Sequence, residues 1–240
     1  MSYGDFLEGE SEIPQSNNDC HAYSVKFIIV GDSTVGKSNI IFRFSYNKFV
    51  PNQLATIGIE YTMKNILYNN INYEVKVFDT AGQEKHRSIT RAYYKGSAVA
   101  MIVYDITNEV SFSNVERWIS DCKDYTPSTA LLVLIGNKND LENERKISKE
   151  QGEQLAKDND MIFFETSALN GNGIENAFKK CIEIIDENIK NRKYNLDDID
   201  NMRRCGIEKK EKVKNYGGTV DTKALLEGQK SNKKFKCCGI

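Results

Sequence analysis

Five short stretches of the chain are dominated by consecutive apolar, β-branched or aromatic residues: 25–30, 73–78, 98–104, 131–135 and 161–164. Runs of this kind bounded by polar turns predict strands buried on both faces, as in a parallel sheet. Between them the apolar period lengthens toward that of a helix, over 37–46, 111–124, 148–157 and 173–190. In the second of these stretches Phe112, Val115, Trp118 and Ile119 share a face, and in the last Ile174, Ala177, Phe178, Cys181, Ile185 and Ile189 do so. Strand and helix therefore take turns, which predicts an α/β domain with helices on both faces of the sheet. At "IEYTMKNILYNNINYEVKVFDT" the alternation breaks, because Asn69 and Asn70 form a hairpin signal between two adjacent strands. The expectation is a six-stranded, mostly parallel sheet with one antiparallel strand.

Composition narrows the setting. With 240 residues and 40% hydrophobic content, one domain with tails is expected. No apolar run of membrane-spanning length and no secretory h-region occurs, so the chain reads as cytosolic. Six cysteines lack metal-ligand spacing and only two histidines are present, which argues against a zinc site or a disulfide framework. The net charge of −1 conceals an asymmetry: from Lys190 onward fourteen Lys and Arg face seven Asp and Glu, leaving −8 for the rest. Residues 1–23 hold Asp5, Glu8, Glu10, Glu12 and Asp19 and no Lys or Arg, and read as a disordered acidic arm. Residues 24–190 form the domain.

In an open α/β sheet the loops after the strands' carboxyl ends carry the ligand site. "GDSTVGKS" (31–38) follows the first strand and opens the first helix, the context a phosphate cradle requires. Gly31 allows the turn, Gly36 the close approach of backbone, Lys37 meets β- and γ-phosphates, and Ser38 offers an oxygen to Mg²⁺. "DTAGQE" (79–84) places Asp79 for Mg²⁺, the Gly82 amide for a γ-phosphate, and Gln83 to orient a water for in-line attack. In "GNKND" (136–140) Asp140 can accept from two donors that guanine has and adenine lacks, so GTP is favoured over ATP. The Lys138 stem can cover the base. In "ETSALN" the Ala168 amide can reach the guanine oxygen.

These four signatures, in this order, resemble the small Ras-like GTPases over about residues 24–190. The resemblance implies Mg²⁺ and GTP or GDP as ligands, held at Ser33, Thr34, Val35, Gly36, Lys37, Ser38 and Asn39. It adds Thr56 in "ATIGIE" as the second Mg²⁺ oxygen and Phe49 as the aromatic beside the base. Asn137, Lys138, Asp140, Ser167, Ala168 and Leu169 would hold guanine. Lys37, Thr56 and Gln83 would carry the hydrolysis. "IGIEY", "VKVF", "KHRSIT", "YYKGS" and "IVYDIT" are similar to the motifs that mark Rab proteins, and "GKSN" and "SAL" resemble the recycling-endosome branch. That implies vesicle traffic and effectors reading Ile57, Tyr61, Phe78 and Tyr93. It also implies an activating protein, an exchange factor, and an escort protein or GDP-dissociation inhibitor, for a monomer without nucleic-acid binding. Three positions depart from the family pattern: Phe78 in place of Trp, His86 in place of Tyr or Phe, and Leu169 in place of Lys.

The chain ends "KSNKKFKCCGI". Rab relatives often carry geranylgeranyl groups on paired cysteines there, so Cys237 and Cys238 are the expected lipid sites; read as a CaaX box, the same ending has Cys237 alone. Two lipid chains, or one plus basic residues, anchor stably. This places the protein on the cytosolic face of endosome, Golgi or vesicle membranes, cycling through cytosol. Residues 191–236 lack periodicity and read as a flexible tether.

Overall fold

The computed structural model describes residues 22–51, 59–80, 92–194, 196 and 199–210. The acidic arm, Thr56, Ile57, Gly82, Gln83, His86, Cys237 and Cys238 lie outside the described residues.

The element order is β1 (Ala22–Gly31), α1 (Lys37–Tyr46), β2 (Ile59–Tyr68), β3 (Ile71–Thr80), β4 (Val99–Asp105), α2 (Glu109–Ser113), α3 (Val115–Tyr125), β5 (Leu131–Asn137), α4 (Lys149–Asp158), β6 (Ile162–Thr166), α5 (Ile174–Lys190), α6 (Ile199–Cys205) and β7 (Ile207–Lys210). The strands order as β2-β3-β1-β4-β5-β6. Only β2 and β3 pair antiparallel along that path, as the Asn-Asn hairpin predicts. Asn69 and Asn70 both take positive φ, 49° and 60°, which a tight hairpin turn with native twist needs.

The apolar runs lie where continuous burial requires. Val25, Phe27 and Ile29 of β1 face one layer of core while Ile28 and Val30 face the other, and all five are fully buried. On the first face α1 and α5 meet through Phe44 and Phe178, whose rings stack at 3.7 Å, with Phe27 5.6 Å from Phe178. On the second, Trp118 and Ile119 of α3 and Ala156 of α4 pack against Ile102, Tyr104 and Leu134. The single helix predicted over 111–124 is two helices, α2 and α3, meeting at Asn114. Helix α4 starts where expected, on a Ser148/Gln151 capping box.

A buried acid joins the hairpin to α5. Asp186, 1% exposed, accepts from the Asn69 amide at 2.8 Å, the Tyr73 hydroxyl at 2.8 Å and the Lys190 ammonium at 2.6 Å. Burial alone would raise its pKa, but the hydrogen bonds from Lys190, Tyr73 and Asn69 reverse that and hold it below the usual aspartate range. A carboxyl lowered on folding contributes stability that is complete above about pH 4 and is lost as the pH falls through the lowered value. Asp186→Ala is therefore expected to cost ~2 kcal/mol at neutral pH, since it leaves the buried Tyr73 hydroxyl without its acceptor while water can serve the exposed Asn69 and Lys190. Denaturant midpoints of wild type and variant should converge on acidification.

The structure departs from the sequence reading beyond Lys190. Residues expected in a tether instead supply α6 and a seventh strand. β4 pairs with β1 only from Phe27 onward, and β7 pairs antiparallel along Ala22–Val25, covering the stretch β4 does not reach. This satisfies backbone groups that an open edge would leave unpaired. Ile207 is fully buried, and Tyr194 and Cys205 are 5% and 8% exposed. The approach is close at Gly206 (φ 71°), where a Cβ would lie 2.4 Å from the Gly96 carbonyl oxygen.

Candidate active site

Helix α1 opens on Gly36, at φ 97°, with no side chain capping its first turn. A helix start behind a glycine loop, with no side-chain cap, is a ready anion site. A Cβ at Gly31 would meet the Val103 carbonyl oxygen at 2.2 Å, and one at Gly36 the Asn137 amide nitrogen at 2.5 Å, so neither glycine is replaceable in this backbone. Ser33 and Thr34 of the loop are exposed while Val35 is buried.

Lys37 folds back inside the loop. Its ammonium donates to the Gly31 carbonyl at 3.0 Å and the Asp32 carbonyl at 2.7 Å, and its side chain is buried. Burial pushes its pKa down to about 8, against the pull of Asp79 and Asp32. A desolvated cation of this kind gains most from an arriving phosphate. Ser38, one residue on, donates its hydroxyl to Asp79 Oδ2 at 2.5 Å. The first and third strands thus bring a hydroxyl and a buried carboxylate to one point. Both are hard oxygen donors and fit Mg²⁺, which typically takes one or two protein oxygens and completes its shell with phosphate and water. Among the described residues no group of three His, Cys, Asp or Glu could hold a metal ion.

The loops after β5 and β6 lie beside the cradle, joined to it through Asn137 and Val35. Asp140 Oδ1 accepts the Ser167 hydroxyl at 2.5 Å, which aims the carboxylate. Lys138, at φ 69°, pairs with Asp105 Oδ2 at 2.6 Å, and Asp105 is itself fixed by the Thr107 amide and hydroxyl. Asn137 serves the protein: it donates to the Val35 carbonyl at 2.8 Å and accepts from Thr166 Oγ1 at 3.1 Å. It also accepts a longer bond, 3.3 Å, from the Ala168 amide that the sequence reading aims at guanine. Asn39 is likewise occupied, accepting from the Val50 amide at 3.0 Å, and Phe49 packs against the core.

Three residues that the sequence reading left without a site role position these loops. Asp32 is held by Asn114 at 2.7 Å and by the Trp118 indole at 2.9 Å, so the break between α2 and α3 clamps the cradle. Arg43, on α1, donates to the carbonyls of Ala168, at 2.9 Å, and of Leu169. Asp105 at the end of β4 orients Lys138. Asp105 and Trp118 stand in sequence within runs that read as strand end and helix face, which conceals their polar work.

A separate surface gathers the predicted aromatics. Tyr61 and Phe78 stack with centroids 5.4 Å apart, Tyr93 lies 6.0 Å from Phe78, and the Lys26 ammonium sits 5.1 Å from the Phe78 ring. Tyr61 is 57% exposed.

A glycine loop opening onto an uncapped helix start, a hydroxyl and a buried carboxylate meeting beside it, and a second carboxylate held by a serine at the end of the sheet are the arrangement of a P-loop nucleotide-binding protein. A profile of the Ras family matches residues 26–187, and the chain belongs to that family. It is 38% identical to the Ras-related protein RABA5c of Arabidopsis thaliana, over 90% of this chain and 94% of that one. It is 46% identical to the Ras-related protein Rab-2B of Dictyostelium discoideum, over 67% and 79%. To the GTP-binding protein ypt3 of Schizosaccharomyces pombe it is 40% identical, over 75% and 84%. The chain is a Rab-type small GTPase, a GTP hydrolase that switches between GTP and GDP forms in vesicle trafficking. Regulators of the exchange-factor, activator and effector type follow from that membership.

Proposed function

We propose that Mg·GTP binds across the loops of β1, β3, β5 and β6, and that its hydrolysis relaxes two segments around Thr56 and Gln83. The observation that carries this reading is the Ser38–Asp79 contact, which brings two strand-end loops to one point at the start of α1. Ser38 and Asp79, with Thr56, would hold Mg²⁺. An ion held by these oxygens would supply charge neutralisation to the transferred phosphoryl group. The first-turn amides of α1 and the Lys37 ammonium take phosphate oxygens. Asp140 accepts from guanine, the Lys138 stem covers the base, and Ser167 keeps the carboxylate oriented. Gln83, through its amide, orients the attacking water, and the Gly82 amide and Thr56 report the γ-phosphate to both segments. Ser33, Thr34 and Val35 line the cradle; Asn39, Phe49, Ala168 and Leu169 shape the pocket's edge. Asn137 acts by joining loops.

With GTP bound, the surface of Ile57, Tyr61, Phe78 and Tyr93 is the effector face, where exposed aromatics are the usual anchors. Among the described residues no helix is long and apolar enough to cross a membrane. Attachment instead falls to lipid on Cys237 and Cys238, at the cytosolic face of endosome, Golgi or vesicle membranes, with an escort protein or GDP-dissociation inhibitor shielding the lipid in transit. Full-length tagged protein is expected on discrete membranes, and Cys237→Ser/Cys238→Ser in the cytosol, when both are imaged in their own cells. Diffuse signal from both would remove the anchor.

A further inference from the structure

At the end of the sheet opposite the nucleotide loops, an open pocket of about 490 Å³ is bordered by the turn before β4, the loop between α3 and β5, the exit of α5, and α6. Its size lies within the ~300–1,000 Å³ of small-molecule sites. Part of its wall is aromatic: Tyr194 is buried, and the Tyr125 ring meets Tyr94 edge-on at 6.1 Å. Lys95, Lys193 and Arg204 also line it, all three exposed, and no acidic residue does so among the described residues. Within the described residues none of the three has an ion-pair or side-chain hydrogen-bond partner. Three like charges around one cavity repel each other, and an anion relieves that repulsion. The Asn201 side chain from α6 adds a neutral donor.

We propose that this pocket binds the phosphorylated headgroup of an anionic membrane lipid. Charge sets the class. A phosphodiester supplies one negative charge and a phosphomonoester ~1.5 to 2 more, so a headgroup carrying both matches the three cations, whereas a plain phosphodiester lipid does not. Topology sets the source. β7 runs antiparallel to β1 and ends at Lys210 opposite Ala22, so the chain leaves the domain at the pocket's end of the sheet and continues toward Cys237 and Cys238. The membrane setting rests on those cysteines as anchors; recognition of the headgroup does not. Because α6 contributes Asn201, Arg204 and Cys205, the pocket exists only with the folded C-terminal extension.

The test uses GDP-loaded, unlipidated full-length protein and two variants, Lys95→Glu/Arg204→Glu in the pocket and Lys233→Gln/Lys234→Gln/Lys236→Gln near the C-terminus. Calorimetry with a soluble inositol bisphosphate should show binding to wild type and to the C-terminal variant, weakened at least ~100-fold in the pocket variant by the loss of two charge-assisted contacts. On phosphatidylcholine vesicles, wild type should prefer added phosphatidylinositol monophosphate over phosphatidylserine of matched charge, and only the pocket variant should lose that preference. Absence of soluble binding, equal binding by the pocket variant, or a preference lost only in the C-terminal variant would overturn the proposal. So would inorganic phosphate competing as well as the inositol bisphosphate, which would mark a free-anion site. If the pocket variant melts below wild type, Lys193→Gln/Arg204→Gln replaces it with the same expected outcomes. Loss of membrane location in the Cys237/Cys238 variant leaves the soluble result intact, so the two readings fail separately.

Discussion

Replacing Gln83 with Leu is expected to abolish the response to an activating protein, forfeiting an acceleration of ~10³ to 10⁵ in GTP hydrolysis. The argument is positional. Hydrolysis needs a water held in line with the γ-phosphate, and an amide both donates and accepts where a Leu side chain can do neither. Nucleotide affinity should be unchanged, because in the proposed mechanism binding falls to Lys37, Ser38 and Asp140. Single-turnover hydrolysis with and without an activator measures the effect, and a variant as fast as wild type in both would remove Gln83 from the mechanism.

Asp140→Ala should weaken GTP binding by ~10²- to 10⁴-fold, the worth of two hydrogen bonds to a charged acceptor. ATP binding should change little, since adenine offers the carboxylate no matching pair of donors. The effect is large because the acceptor is preoriented: the Ser167 hydroxyl holds one oxygen at 2.5 Å before any base arrives. Competition between the two nucleotides for a fluorescent guanine analogue reads out both affinities. Retained GTP preference in the variant would transfer base recognition to another group.

Much of the fold was legible because the strands are buried on both faces, which leaves continuous apolar runs such as 98–104 that few other elements produce. The cradle was equally plain, since its geometry forces glycine at positions 31 and 36. What the sequence could not disclose is how side chains are shared. "GNKND" reads as a turn facing a ligand, yet Asn137 spends its amide on Val35, Thr166 and Ala168. Arg43 joins α1 to carbonyls 125 and 126 residues away, which no local pattern announces. The C-terminal extension was hidden for a different reason. Its buried residues, Tyr194, Cys205 and Ile207, are too widely spaced to set a period, and its strand exists because β1 has an edge to fill.

That strand also sets the protein's radius of action. On the proposal that Cys237 and Cys238 carry the anchor, a chain released at Asn191 could place them up to about 160 Å from the domain, at ~3.5 Å per residue. Held down to Lys210 by β7, it can carry them no farther than about 95 Å. An anchored switch would then work on a shorter leash, and a partner would have to find it in a thinner shell above the bilayer.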